Sequence, residues 1–364
     1  MRRRGNGHGS SSMTALATNA DAPAQATRRA VALLAFCCLL WGYSFPTMKV
    51  AIAAFEHNLP AAAVGRTDNP PHADGQRPIL PPSLEGGINA TFNGWRFTLA
   101  TLLYWLLTRA RQRGHSRAEL RGGFMIGAFF SAGMFVQIAG LRYTLPSISG
   151  FLTALAVVFA PLAQAFLFRR HVGLYTWLAI AVAIAGIVIL SLPNPDAVRA
   201  LPPVNPPIPY LGEALTILGA VLFTCQILCV DHYGRQADAT RLTLVMFATT
   251  ALLSLALGAV LGGSGIYNGH VLSGVATDHT FHWSLLTLVA FTSVLALHLM
   301  NLYQPFIAPA KACVVYCLEP VFATLFSVLF QTERLTAATV LGGAVILAAV
   351  LLVARQQEHR APST

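Results

Sequence analysis

Apolar stretches of about twenty residues recur along the whole chain, and this recurrence constrains the fold more than any other feature. A helix of roughly 20 apolar residues crosses a bilayer core about 30 Å thick. Suitable stretches occupy residues 30–54, 90–108, 122–141, 148–168, 174–192, 211–230, 242–262, 283–303, 309–330 and 336–354. Of the 364 residues only 10% are charged, against about a quarter in soluble domains. We therefore expect an all-α polytopic membrane protein with ten transmembrane helices, or nine if one of the two more polar windows, 90–108 and 283–303, does not span.

The basic residues indicate how the chain lies in the membrane. The net charge is +10, with 24 Lys and Arg against 14 Asp and Glu. If the N-terminus is cytoplasmic, ten spans return the C-terminus to the same side, and most of the 24 basic residues then lie in cytoplasmic segments. This asymmetry is the positive-inside rule, so the charge does not indicate a nucleic-acid partner. We expect a protein of the bacterial plasma (inner) membrane with both termini cytoplasmic.

Polar segments divide the chain into two halves of similar design. The expected order is a disordered cytoplasmic tail, a first five-helix repeat with an extracytoplasmic loop at 56–89, a Pro-rich linker, a second five-helix repeat and a cytoplasmic tail, at residues 1–29, 30–192, 193–209, 210–354 and 355–364. Ala160-Pro161 in the fourth window and Glu319-Pro320 in the ninth are each followed by an apolar stretch and a charged turn. Because five is odd, the second repeat enters from the opposite side, which predicts two inverted repeats.

Glu319 is the carboxylate that lies well inside a predicted span. A charge at the bilayer centre costs roughly 2.5–3.5 kcal/mol on insertion scales, so this side chain should face a cavity or a partner, or be protonated. Tyr316 and Lys311 share its helix face. Pro320 lacks an N–H and should break the helix, freeing a carbonyl near Tyr316. Alternatively, Glu319 only neutralises Lys49 or fixes a helix interface.

Two further predicted spans supply candidate substrate or proton contacts. The first offers Trp41, Ser44 and Lys49, with a helix break at Pro46. The eighth carries His298 and Asn301, spaced to share one face. Lys49, like Arg96 in the second span, could instead extend to the extracytoplasmic surface. Interhelical hydrogen bonding is an equally good explanation for His298 and Asn301.

Three short motifs carry a resemblance to a known family. They are Trp41-Gly42-Tyr43-Ser44-Phe45, Glu319-Pro320 and Glu333-Arg334-Leu335. With them, residues 30–354 resemble the EamA-type transporters of the drug/metabolite transporter superfamily. The resemblance implies ten helices, two inverted repeats and a central cavity that moves metabolites, often outward. The sequence departs from the family at Arg170, where an acidic residue is common, and in its longer 56–89 loop.

The sequence predicts neither a metal site nor a cofactor. The six cysteines lie in apolar windows, where cysteine usually packs as a small hydrophobic residue. Two pairs, Cys225/Cys229 and Cys313/Cys317, nevertheless have a spacing at which a metal site is conceivable. We find no His-Glu-x-x-His, Gly-x-Ser-x-Gly or Walker A pattern, which argues against a membrane-embedded enzyme and against ATP hydrolysis.

These observations together favour a secondary transporter of small metabolites such as amino acids or drugs, working by alternating access. A membrane-embedded enzyme and a non-transporting scaffold are the alternatives. The expected partners are a small-molecule substrate and the lipid bilayer, and a homodimer is compatible with the sequence. Proton antiport through Glu319 and uncoupled facilitated diffusion both remain open as energy sources.

Overall fold

The computed structural model describes residues 10–57, 82–141, 143, 152–167, 169, 171–192, 209–266, 269–330 and 335–355. Within these ranges the side chains of residues 10–24, 45, 49, 56–57, 82, 141, 263–266, 269–272 and 355 are not described. Within the described residues all regular structure is helical. A helix overlaps each of the ten predicted windows.

The first half contains α1 (Ser10–His57), α2 (Pro82–Thr108), α3 (Arg117–Leu141), α4 (Ala156–Phe166) and α5 (Leu174–Leu190). The second half contains α6 (Leu211–Gly234), α7 (Ala239–Ile266), α8 (Gly269–Thr277), α9 (His279–Thr287), a π-helical segment (Leu288–Leu295), α10 (Ala296–Tyr303), α11 (Pro309–Tyr316), α12 (Leu318–Leu329) and α13 (Ala337–Arg355). Short 3₁₀ turns follow α2 and α10, at Arg109–Arg111 and Gln304–Phe306.

Seven segments in the described part of the chain are long and apolar enough to cross a membrane. They are Gln25–Phe55, Arg117–Gly140, Leu211–Gly234, Ala239–Gly262, His279–Phe306, Pro309–Leu329 and Ala337–Ala354. Two apolar helices are shorter, Leu152–Phe166 and Leu174–Leu190. Helix α2 has 27 residues but carries Glu85 and Arg96. The described part of the protein is therefore all-helical, with seven clear candidate membrane spans.

Two predicted boundaries differ from the structure. The sequence predicts a disordered tail over 1–29, yet α1 already begins at Ser10. Alanine is the best helix former and is frequent in this segment, and a helix extends more easily than it nucleates. The predicted 56–89 loop is also shortened, because α2 begins at Pro82. The rest of that loop, 58–81, and most of the 193–209 linker lie outside the described residues.

Close helix packing depends on glycine at two interfaces. Helix α5 packs against α13, where a Cβ on Gly342 would lie 2.6 Å from the backbone nitrogen of Leu190 and 2.8 Å from the carbonyl oxygen of Gly186. Helix α1 packs against α12, where a Cβ on Gly42 would lie 2.5 Å from the Cβ of Phe322. Small residues permit such approach, and dispersion contacts then stabilise the helix pairs in lipid.

Two connections pack against each other at one end of the bundle. Ser116 and Glu119 form a capping box at the start of α3, with Glu119 Oε2 accepting from the Ser116 N–H at 2.6 Å and Ser116 Oγ accepting from the Glu119 N–H at 3.2 Å. The buried Glu119 carboxylate also lies 3.6 Å from Arg241 Nη1. Arg241 donates from Nε to the carbonyl oxygen of Arg111 at 2.7 Å. The α2–α3 connection is thereby tied to the start of α7.

Candidate functional site

The helix that carries Glu319 is interrupted. Helix α11 ends at Tyr316, Cys317 forms the junction, and α12 begins at Leu318, so Glu319 lies in the first turn of α12. Pro320 has no N–H to offer the carbonyl one turn earlier, which favours a break here. Among the described residues, the half-buried Glu319 carboxylate has neither a hydrogen-bonding partner nor an ion-pair partner.

Glu319 lies on the face of α12 that packs against α1. Gly42 on α1 closely approaches Phe322, which is one turn after Glu319 on the same face. One turn earlier on α1, Cys38 Sγ lies 3.5 Å from the carbonyl oxygen of Val315. The carboxylate is therefore at the level of residues 38–42 of α1, near the middle of both segments.

Trp41 connects this helix break to the π-helical segment. Its ring meets the Tyr316 ring edge to face, with centroids 5.7 Å apart. Its Nε1–H donates to the carbonyl oxygen of Thr292 at 3.3 Å. A π-helical turn leaves carbonyls free of ordinary α-helical pairing and often occurs at functional sites. Trp41 thus has one polar contact and one aromatic contact on two different spans.

Tyr316 is anchored by a fully buried glutamine. Its hydroxyl donates to Gln304 Oε1 at 2.8 Å, and Gln304 Nε2 donates to the carbonyl oxygen of Ile227 at 2.7 Å. Gln304 is 0% exposed. The chain of hydrogen bonds fixes the end of α11 against α6, so the ring that faces Trp41 has a defined position.

Arg96 also belongs to this region, although the sequence does not select it as a site residue. It lies near the middle of α2 and is only 5% exposed, whereas the sequence alone also allows it to extend to the surface. Its Nε donates to Ser293 Oγ at 2.8 Å and its Nη2 to Thr292 Oγ1 at 2.6 Å. Both acceptors belong to the π-helical segment. The sequence does contain one signal for this contact. Thr292 and Ser293 place two adjacent hydroxyls at the centre of an apolar span, where they need hydrogen-bonding partners as Arg96 does.

The prediction of a helix break at Pro46 is wrong. Helix α1 is continuous from Ser10 to His57. Ser44 Oγ donates to the carbonyl oxygen of Trp41 at 2.7 Å, and Thr47 Oγ1 donates to that of Tyr43 at 3.0 Å. Pro46 leaves the carbonyl of Gly42 without its α-helical N–H, these hydroxyls bond to the carbonyls on either side of it, and neighbouring helices hold the segment, so the helix continues. The Lys49 side chain lies outside the described part.

His298 and Asn301 contact helices away from the Trp41–Tyr316 pair. His298 Nδ1 lies 2.8 Å from the hydroxyl of Tyr104 on α2. Asn301 Nδ2 donates to Thr243 Oγ1 on α7 at 3.0 Å, and its buried Oδ1 has no partner among the described residues. These contacts are interhelical hydrogen bonds.

The remaining metal-ligating residue types do not converge in the described part of the chain. No group of three or more His, Cys, Asp or Glu is close enough there to hold a metal ion. All six cysteines are free thiols. Cys37 and Cys317 each direct Sγ toward a backbone carbonyl, of Ala296 and Cys313, at 3.3 Å.

Comparison with known proteins agrees with this architecture. A sequence model of the EamA-like transporter family matches residues 85–192 and 210–355. An "uncharacterized transporter" of Archaeoglobus fulgidus is 25% identical over 320 residues, which cover 88% of this chain and 84% of that protein. A solved crystal structure shares the fold with a TM-score of 0.56 and 16% identity, covering 91% of this chain and 99% of the other. The chain belongs to the EamA-like transporter family of the drug/metabolite transporter superfamily and is an integral membrane protein.

Proposed function

We propose that this chain is a secondary transporter of small metabolites such as amino acids or drugs, working by alternating access around a site at Trp41, Tyr316 and Glu319. The observation that carries the proposal is a carboxylate without a described partner, placed mid-span at a helix break. Interrupted helices at membrane depth are tolerated where they line a cavity or are buried in protein. Transporters commonly bind solute and coupling ion at such breaks.

Two inverted five-helix repeats supply the moving parts in this proposal. Exchange of the first half of the chain with the second maps several of the observed helix contacts onto each other. The contact of α3 with α6 corresponds to that of α9 and α10 with α1, and the contact of α3 with α7 corresponds to that of the π-helical segment with α2. The contact of α1 with α12 corresponds to that of α6 with α4, and all of these contacts occur. The family match also falls into two segments, one in each half. A fold with this internal exchange can open alternately to either side.

The same scheme assigns an orientation. In this scheme ten spans cross the bacterial plasma membrane and both termini are cytoplasmic. The α2–α3 and α6–α7 connections, joined by the hydrogen bond from Arg241 to Arg111, then lie on the cytoplasmic side. That side also carries the basic excess, in keeping with the positive-inside rule.

Glu319 is the residue through which transport could couple to protons. A carboxylate that alternates between a protonated, neutral form and an ionised form can load a proton on one side and release it on the other. Glu319→Gln fixes the neutral form and should abolish the pH dependence of transport while insertion and folding persist. Glu213→Gln is the matched control, because Glu213 also lies in a first helical turn, but at the end of its span.

Counterflow of a labelled metabolite panel in proteoliposomes tests transport itself and identifies a substrate. The coupling test then compares uptake of that substrate at several pH values in wild type, Glu319→Gln and Glu213→Gln. Unaltered rate and pH dependence in Glu319→Gln would leave Glu319 with a structural role only. Absence of counterflow by a folded wild-type protein for the whole panel would favour the scaffold or enzyme alternatives.

A further inference from the structure

Arg96 is a buried cation without an acidic partner among the described residues. It is only 5% exposed and lies near the middle of α2. The described ion pairs involve Arg235 and Arg241 at the helix ends and do not reach it. Burying an ion without compensating charge is costly at membrane depth. A mid-membrane arginine in this state needs a reason to be retained.

The protein satisfies only part of the guanidinium group. A guanidinium has five N–H donors, and the described acceptors take one from Nε and one from Nη2. The Phe97 ring lies 5.4 Å from Cζ, which adds a weaker attraction. Nη1 has no acceptor among the described residues. Two N–H groups on one edge of a guanidinium form a fixed fork, and such a fork binds both oxygens of a carboxylate.

The two hydroxyl partners orient Arg96 but do not neutralise it. Thr292 and Ser293 are each 0% exposed. Thr292 Oγ1 uses its own proton toward the carbonyl oxygen of Leu288 at 2.8 Å, so it is available to Arg96 as an acceptor. Hydroxyls contribute hydrogen bonds and no charge. The described site therefore keeps one net positive charge, which matches a singly charged anion better than a phosphate.

The arginine adjoins the proposed transport site through a shared residue. Thr292 accepts from Arg96 with its side chain and from Trp41 with its carbonyl oxygen. Trp41 in turn contacts Tyr316. Resting on the proposed function, we infer that Arg96, held by Thr292 and Ser293 on the π-helical segment, binds the carboxylate of the transported solute. The substrate class is then carboxylate-bearing metabolites, including zwitterions.

Thermal unfolding of the purified full-length chain in detergent tests the carboxylate site directly. Acetate is titrated to about 0.1 M against chloride at constant ionic strength, because salt screens surface charges in that range. Acetamide serves as the neutral isostere. Binding should raise Tm by about 1–3 °C at several times the Kd of acetate. Acetate indistinguishable from both chloride and acetamide would overturn the inference.

Substitutions locate the effect. Arg96→Met should abolish the acetate response, Arg96→Lys should keep part of it, and the exposed Arg109→Met should respond like wild type. If Arg96→Met fails to fold, Ser293→Ala with Thr292→Val still tests the site, because loss of both orienting hydroxyls should weaken the response several-fold. If Arg96→Met folds and responds to acetate as wild type does, the assignment is refuted. If Arg96→Met does not fold, a wild-type acetate response in the double variant refutes it instead.

Counterflow in proteoliposomes separates this inference from the proposed function. L-leucine, L-leucinamide and 3-methylbutylamine share a side chain and differ at the carboxylate. Acetate binding at Arg96 without transport of any panel solute would refute the function and leave the site intact. Equal transport of acid, amide and amine, unaffected by Arg96→Met, would refute the carboxylate site and leave transport intact.

Discussion

Gly42→Ala is expected to disturb both stability and transport, because the α1–α12 contact has no room for a methyl group. A Cβ at Gly42 would lie 2.5 Å from Phe322 Cβ and 2.7 Å from the Ala323 nitrogen, against 3.4 Å or more for ordinary contact. Both atoms are held rigidly by the backbone of α12 and are not the end of a flexible side chain. The two helices must therefore separate by about 1 Å. Overpacking of this kind costs about 1–3 kcal/mol.

The same displacement moves Glu319, which lies one turn before Phe322. A misplacement of about 1 Å can lower a rate by about 10²-fold when groups must be held in register. Gly219→Ala is the matched control, since its nearest contact would be at 3.5 Å and alanine favours a helix by about 0.8–1.0 kcal/mol over glycine.

Thermal unfolding and substrate counterflow measure the two effects in parallel. Gly42→Ala should lower Tm and the transport rate, while Gly219→Ala should leave the rate unchanged and keep or raise Tm. Equal Tm and equal transport in both variants would refute the claim that α1 and α12 are in fixed contact beside the site.

Two other predictions concern topology and packing. Reporter fusions after Arg113 and Arg241 should report the cytoplasm and a fusion at Pro203 the outside; a cytoplasmic Pro203 would exclude the scheme of two inverted repeats. Asn301→Asp should lower Tm more than Asn301→Leu, because a buried carboxylate would have no described cation beside it. If Asn301→Leu instead removed transport without lowering Tm, Asn301 would be a substrate contact and not an interhelical bond to Thr243.

The helical architecture could be predicted from hydropathy because every span must satisfy its backbone internally and present apolar side chains to lipid. The break beside Glu319 could be predicted for an equally local reason: Pro320 cannot donate, whatever surrounds it. The aromatic contact between Trp41 and Tyr316 involves residues far apart in sequence, although the sequence predicts each of them as a site residue. Their pairing itself was visible only in three dimensions.

Other features could not be predicted because local sequence leaves two outcomes open. Pro46 has the same missing donor as Pro320, yet the hydroxyls of Ser44 and Thr47 cover neighbouring carbonyls and the helix continues. Arg96 could extend to the surface or turn inward, and only the hydroxyls of Thr292 and Ser293, on a distant span, decide between them. Distant partners of this kind leave no periodic signal in the chain.

The π-helical segment also fixes how this region can tolerate insertions and deletions. A π turn holds one residue more than an α turn, and one residue corresponds to a rotation of about 100° about the helix axis. The wider π turns of Leu288–Leu295 can lose their extra residue and become α turns with little rotation, but removing one residue from the regular helix between this segment and His298 would turn His298 relative to Thr292 and Ser293 by that angle. Arg96 could keep its hydroxyl partners only if His298 lost Tyr104, or the reverse. A single span meets both sets of neighbours, so a length change between Ser293 and His298 is expected to be far more damaging than one in a connecting loop.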